Sequence, residues 1–207
     1  MDYSTFKAPF ISLDQVRSQA DAFRSKYAST GSVPVEIQGI IEFDLDLEIR
    51  PVHGLRESAD IDALLLGTLR TIVVDSKMYM DDRMENRLRF SLAHEVGHIV
   101  LHRDVYEKIS HESVGAWLDF FRTVPDDEYT WIEQHAYEFA GRLLVPPALL
   151  KAEYDGQKSR AEAMGFTKWD ESGETTLEYV SDDIARKFGV SSQVISKRLL
   201  KEKIHIL

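Results

Sequence analysis

The residues that could do chemistry are concentrated in one short run, His94-Glu95-Val96-Gly97-His98. Residues four apart on a helix lie one turn above each other, with Cβ atoms about 5–6 Å apart. Two imidazoles so placed can each give a nitrogen to a single zinc ion at about 2.1 Å. The glutamate between them then reaches a water on the metal rather than the metal itself. Zinc brings the pKa of such a water to roughly 7, so Glu95 can take its proton and later return it to a leaving amine. Helical phase agrees with this use. Leu88, Leu92, Val96 and Ile99 share one face, and His94 and His98 share the other with Arg87, Ser91 and His102 nearby. An apolar back and a histidine-bearing front are what a metal-lined cleft requires.

Zinc needs a third protein ligand, with the fourth position left open. The downstream candidates are His102, His111, Glu133, His135 and Glu138. A metzincin would carry a glycine at position 101 and a histidine at 104, where this chain has Leu101 and Asp104. His102, a further turn along, is too far around its helix to close a tetrahedron with both other histidines. In the stretch from Trp131 to Pro146 the apolar stripe is Ile132, Ala136, Phe139, Ala140 and Leu143. Glu133 lies at its edge beside Tyr137 and Ala140. Gln134 and Glu138 point away, Glu138 toward solvent, and His135 falls on the opposite flank. A carboxylate turned toward a core needs a cation, so Glu133 is the expected third ligand. Tyr137, one turn from Glu133, and His102 are candidates to stabilise a developing oxyanion.

The elements that must hold these residues can be read in outline. A helix is expected from Ser12 to Tyr27, with Leu13, Val16, Ala20 and Phe23 in phase, followed by a loop at 29–34 and a short helix opened by Pro34. Leu45 to Val52 alternates as a strand does, and Ala63–Leu66 and Thr71–Val74 read as a hairpin turned at Gly67. Asp82, with Glu85 three positions on, resembles a capping box at the start of the long histidine-bearing helix. Further helices are expected over 114–121, 127–145, 149–164, 176–188 and 192–201. The 34 residues between His98 and Glu133 include the aromatic run Trp117, Phe120 and Phe121. These fit an amphipathic core helix or a substrate-facing flap.

Composition narrows the class. The 207 residues are 43% hydrophobic and 29% charged, as in a soluble globular protein, and contain no cysteine. Disulfides and thiolate metal sites are thereby excluded. Met1 to Pro9 lacks an apolar core, and no run approaches roughly 18 apolar residues, so neither a signal peptide nor a membrane span is expected and the cytoplasm is the expected location. The net charge of −10 argues against a chain-wide nucleic-acid footprint. Ser181 to Leu207 carries +3, which leaves −13 for the rest.

Two motifs in tandem resemble a known family. Arg89-Phe90-Ser91-Leu92-Ala93-His94-Glu95-Val96-Gly97-His98-Ile99-Val100-Leu101-His102, followed by Glu133-x-x-Ala136-x-x-Phe139-Ala140-x-x-Leu143-Leu144-Val145-Pro146, is similar to the ImmA/IrrE-type metallopeptidases, zinc-dependent regulatory proteases. Tyr137 stands where that family commonly has a small polar residue or asparagine. The resemblance implies zinc held by His94, His98 and Glu133. It also implies a compact α+β gluzincin-like fold, with a small antiparallel sheet on the active-site helix and a second ligand-bearing helix. The substrate it implies is a protein, often a helix-turn-helix repressor encoded nearby. Residues 1–164 are expected to form the peptidase domain, 165–174 a linker and 175–207 a helix-turn-helix-like segment.

In that last segment, Gly189 is placed to end one helix and Ser191 to cap the next, with Ala185, Val190, Val194 and Leu199 at packing positions. Gln193, Ser196 and Lys197 would face a groove of DNA or a partner. An excess of +3 over 27 residues predicts few phosphate contacts and weak autonomous DNA binding. The expected function is a zinc-dependent regulatory endopeptidase with Glu95 as general base, acting on a repressor. The alternatives are a non-proteolytic zinc protein that binds a partner or DNA, and the toxin component of a two-gene module.

Overall fold

The computed structural model describes residues 2–28, 31, 33–108, 113–166, 169 and 173–205. His111 lies outside these, as do parts of the loop expected at 29–34 and of the linker expected at 165–174. The first helix, α1 (Leu13–Tyr27), starts from a capping box: Ser12 Oγ accepts from the Gln15 amide, and Gln15 Oε1 accepts from the Ser12 amide. Its Val16, Ala20 and Phe23 are buried, as their spacing requires.

After the three-residue α2 (Ile37–Gly39), a π-helical turn over Ile40–Asp44 runs up to the expected strand and takes its first residue, Leu45, as its cap. The Leu45 amide donates back to Ile40. β1 therefore covers only Glu48–Val52. Next come α3 (Leu55–Ala59), β2 (Ala63–Leu65) and β3 (Thr71–Asp75). The sheet order is β1-β3-β2. β2 and β3 form the expected antiparallel hairpin, with Leu65 opposite Ile72. The sheet is not antiparallel throughout, however: β1 runs parallel to β3, with Ile49 opposite Ile72. A parallel neighbour needs a crossover, which α3 and β2 supply here. Alternation along a strand reports its faces but not its direction. Every residue of β3 is buried, as suits a central strand covered on both sides.

Asp75 ends β3 and caps α4 (Ser76–Met80), its Oδ1 accepting from Lys77 and Met78. The capping box expected at Asp82 does not form. Asp81 accepts from the Arg83 amide, a 3-10 turn covers Asp82–Met84, and α5 (Glu85–Leu101) then carries the histidine motif. α6 (Arg103–Lys108) and α7 (Val114–Thr123) lead to the second long helix, α8 (Asp126–Leu144). α9 (Pro147–Ala163) starts with a proline in its first turn. α10 (Gly173–Phe188) and α11 (Ser192–Lys201) complete the order.

α5 and α8 pack against each other at the centre, with α1 on α8 and β2 against α5. This is an α+β architecture. One apolar core joins Val16, Leu92, Val96, Phe139 and Leu143 to Leu177, Ile184, Phe188 and Leu199 of the last two helices. Trp169, in the stretch expected to be a linker, is buried, and its indole donates to the Tyr154 hydroxyl. α7 divides its aromatics. Phe120 is buried edge-on to Tyr3 and Phe6, while Trp117 and Phe121 stack on each other beside Tyr129 of α8. No described helix is long and apolar enough to cross a membrane.

Candidate metal centre

The glycine between the two histidines decides whether a second helix can reach them. A Cβ on Gly97 would lie 3.2 Å from Ala136 Cα, 3.3 Å from the Ala136 carbonyl oxygen and 3.2 Å from the Phe139 ring. Glycine on α5 facing alanine on α8 lets the backbones approach closely, and α8 then delivers Glu133 to the histidines. His94 Nε2 and His98 Nε2 are 3.0 Å apart. Glu133 places one carboxylate oxygen 3.2 Å from His94 Nε2 and the other 3.4 Å from His98 Nε2.

Donors about 2.1 Å from a tetrahedral ion stand about 3.4 Å from one another, so these atoms fit around one metal. The donor set, two imidazoles and a carboxylate, is also of the right chemistry for zinc. A second carboxylate is close by: suitable donor atoms of His94, Glu95 and His98 all lie within 4.8 Å of one another. The two glutamates are nevertheless held differently. Glu95 Oε2 accepts from the Leu65 amide at 2.7 Å. Leu65 belongs to the edge strand β2, whose alternate amides point away from the sheet and are free to meet a side chain. Glu133 has its oxygens on the histidines, and its side chain is 23% exposed.

Burial opposes charge on Glu133, but the two imidazoles outweigh it and hold the carboxyl pKa well below its ordinary range. Burial likewise opposes a charged His94, and Glu133, followed by Glu95, reverses the direction to a net rise. Glu95 moves upward because burial dominates, with His98 and His94 opposing. A buried glutamate with a raised pKa beside such a site can accept a proton near neutrality.

A family model described as peptidase M78, IrrE N-terminal-like domain, matches residues 78–200, more than half of the chain. The protein belongs to the IrrE N-terminal-like peptidase family. No protein of curated function matches it. Membership supports a metallopeptidase-type regulatory role, and the His-Glu-His group of α5 is a possible metal site consistent with it. The match to this IrrE-like family begins in α4 and runs through most of α11, so it contains both long helices of the site.

The remaining residues singled out from sequence divide around this centre. Tyr137 is 56% exposed, its ring 4.5 Å from that of His94. His102 lies behind His98, on the Nδ1 side, and is fully enclosed. Glu138 corrects the sequence reading: it is 2% exposed rather than solvated, and accepts from Arg17, Arg198 and Lys201 at 2.8–2.9 Å. Helical phase placed it off the apolar stripe, but α1 and α11 cover that flank and bring the cations. Gln193 and Lys197 are exposed, whereas Ser196 is half-buried with its hydroxyl 2.8 Å from that of Ser181.

Two tyrosines of the site were not foreseen. Tyr106 is buried with its ring 5.4 Å from that of His98. Tyr129 lies beside Glu133, and its pKa is driven far up, first by burial and then by the Glu133 charge. Its position four residues before Glu133 on the same helix face was a usable signal.

Proposed function

We propose that this protein is a zinc-dependent regulatory endopeptidase that cleaves a partner transcriptional repressor. The observation that carries the reading is the convergence of His94 Nε2, His98 Nε2 and both Glu133 oxygens, with Glu95 alongside but held separately by the sheet edge. His94, His98 and Glu133 would hold the ion. When bound, zinc acidifies a water and polarises a peptide carbonyl. Glu95 takes the water's proton on its carboxylate and passes it to the leaving amine nitrogen. The Leu65 amide orients that carboxylate, and burial raises its proton affinity. Tyr137, half-exposed beside His94, is the residue best situated to donate its hydroxyl to a substrate oxygen.

A protein substrate rests on the family, and a helix-turn-helix repressor is the class we infer. The cytoplasm, where such repressors work, is the proposed location. The tail bears on partner choice. Arg198 is buried against Glu138, Lys201 pairs with the same carboxylate, and Lys187 pairs with Glu153. Fewer cations therefore remain for phosphate, which favours a protein partner over DNA.

Glu95→Gln tests the assignment. It should retain zinc, measured by metal analysis, and lose cleavage of the repressor encoded beside it by about 10²–10⁴-fold. Undiminished cleavage by the variant would refute the role of Glu95.

A further inference from the structure

Two enclosed imidazoles have no part in the site described so far. His102 Nδ1 is 3.2 Å from His98 Nδ1, and His102 Nε2 is 3.3 Å from His135 Nδ1, across the α5–α8 interface. On its other side the His135 ring lies near the Ile11 backbone, just before α1. Three imidazoles thus stand in single file from the metal site to the segment before α1. That segment is pinned on α8, the Ala8 amide donating to Glu128 Oε2 at 2.7 Å and Lys7 pairing with the same carboxylate.

The order of protons along this file follows from its metal end. A neutral imidazole has one N–H and one lone pair. His98, with Nε2 turned to the ion, must carry its proton on Nδ1 and donate it to His102 Nδ1. His102 must then donate from Nε2 to His135 Nδ1, and His135 keeps its proton on Nε2. The His98 lone pair is left on Nε2, the atom that faces Glu133 and His94. His94 has no such support: its Nδ1 is buried without a hydrogen-bond partner among the described residues.

We propose that His102 and His135 are positioning residues, a directional imidazole chain that accepts the His98 Nδ1 proton and presets His98 as a metal ligand through Nε2. The proposal rests on the metal reading above. It assigns the two ligands unequal roles, His98 preset and His94 adapting to the ion.

The test uses the full chain loaded with zinc and labelled with ¹⁵N-histidine. Long-range ¹H–¹⁵N correlations should show His102 and His135 protonated on Nε2 and bare on Nδ1. In chelator competition, His102→Phe should bind zinc about 10–100-fold more weakly while remaining folded. His102→Asn, whose Oδ1 can accept from His98 Nδ1–H, should recover most of that loss. A His102 proton found on Nδ1, or a folded His102→Phe that binds zinc as tightly as the parent, would overturn the chain. If the unaltered protein takes up no zinc, both this inference and the metal reading fail. Zinc uptake with the wrong His102 tautomer removes the inference alone.

Discussion

Tyr129 illustrates how much of the site is set by single groups around the ligands. Burial, and then the charge of nearby Glu133, keep its hydroxyl a neutral donor. Replacement by phenylalanine removes that donor from beside a carboxylate already balanced between burial and two imidazoles. Tyr129→Phe should weaken zinc binding about 10-fold or more at unchanged fold, measured by chelator competition. An unaltered zinc affinity would show that Glu133 is oriented by the histidines alone. At this scale the sequence was most informative about direct ligands, because the i, i+4 spacing of His94 and His98 carries its own geometry. It was least informative about Tyr106 and Glu138. Their surroundings depend on which helix covers which flank, and helical phase cannot report that. His102 was visible as an in-phase histidine, but its partner His135 sits on another helix, so their pairing could not be read from either motif.

At the scale of elements, the site depends on how closely α5 and α8 approach. Gly97 faces the backbone of Ala136, which cannot swing aside as a flexible side chain could. Gly97→Ala gains helix propensity but pushes the two helices apart just where Glu133 must reach the histidines. We expect a net loss of about 1–3 kcal/mol of stability by chemical denaturation. A weaker zinc affinity should accompany it, because His94 and His98 move with α5 and Glu133 with α8. A variant as stable as the parent and equally tight for zinc would show that the contact relaxes. The long helices and the β2–β3 hairpin were legible because their periodicities are strong and local. The parallel pairing of β1 was not, since it is settled by the crossover through α3. The π-helical turn at Ile40–Asp44 was equally hidden: it places apolar residues inward without a period that distinguishes it from a strand's beginning.

For the molecule as a whole, the last helix is tied to the site-bearing helix by ions as well as by apolar packing. Glu138 of α8 meets Arg198 and Lys201 of α11 and Arg17 of α1, and a Cβ on Gly141 would meet the Arg198 side chain at 3.2 Å. Removing the carboxylate leaves the buried Arg198 guanidinium with Glu202 as its carboxylate partner and one of its donors unmet, so Glu138→Ala should cost about 1–3 kcal/mol. The same cluster has a pH signature. Burial alone would raise the Glu138 pKa, but Arg198, then Lys201 and Arg17, reverse this and hold it down at about 2, against an ordinary 4.5. A carboxyl with a depressed folded-state pKa contributes stability that is complete above its unfolded-state value and is lost as pH falls toward the folded one. The contribution should therefore be whole at neutral pH and decline between about pH 5 and pH 2. Glu138→Gln carries no such titration. Thermal unfolding at neutral pH should show the parent well above this variant, and the gap should close progressively on acidification. A gap constant down to about pH 3 would mean that Glu138 stabilises by shape and hydrogen bonding rather than by charge. The clamp binding α11 to α8 would then not be ionic.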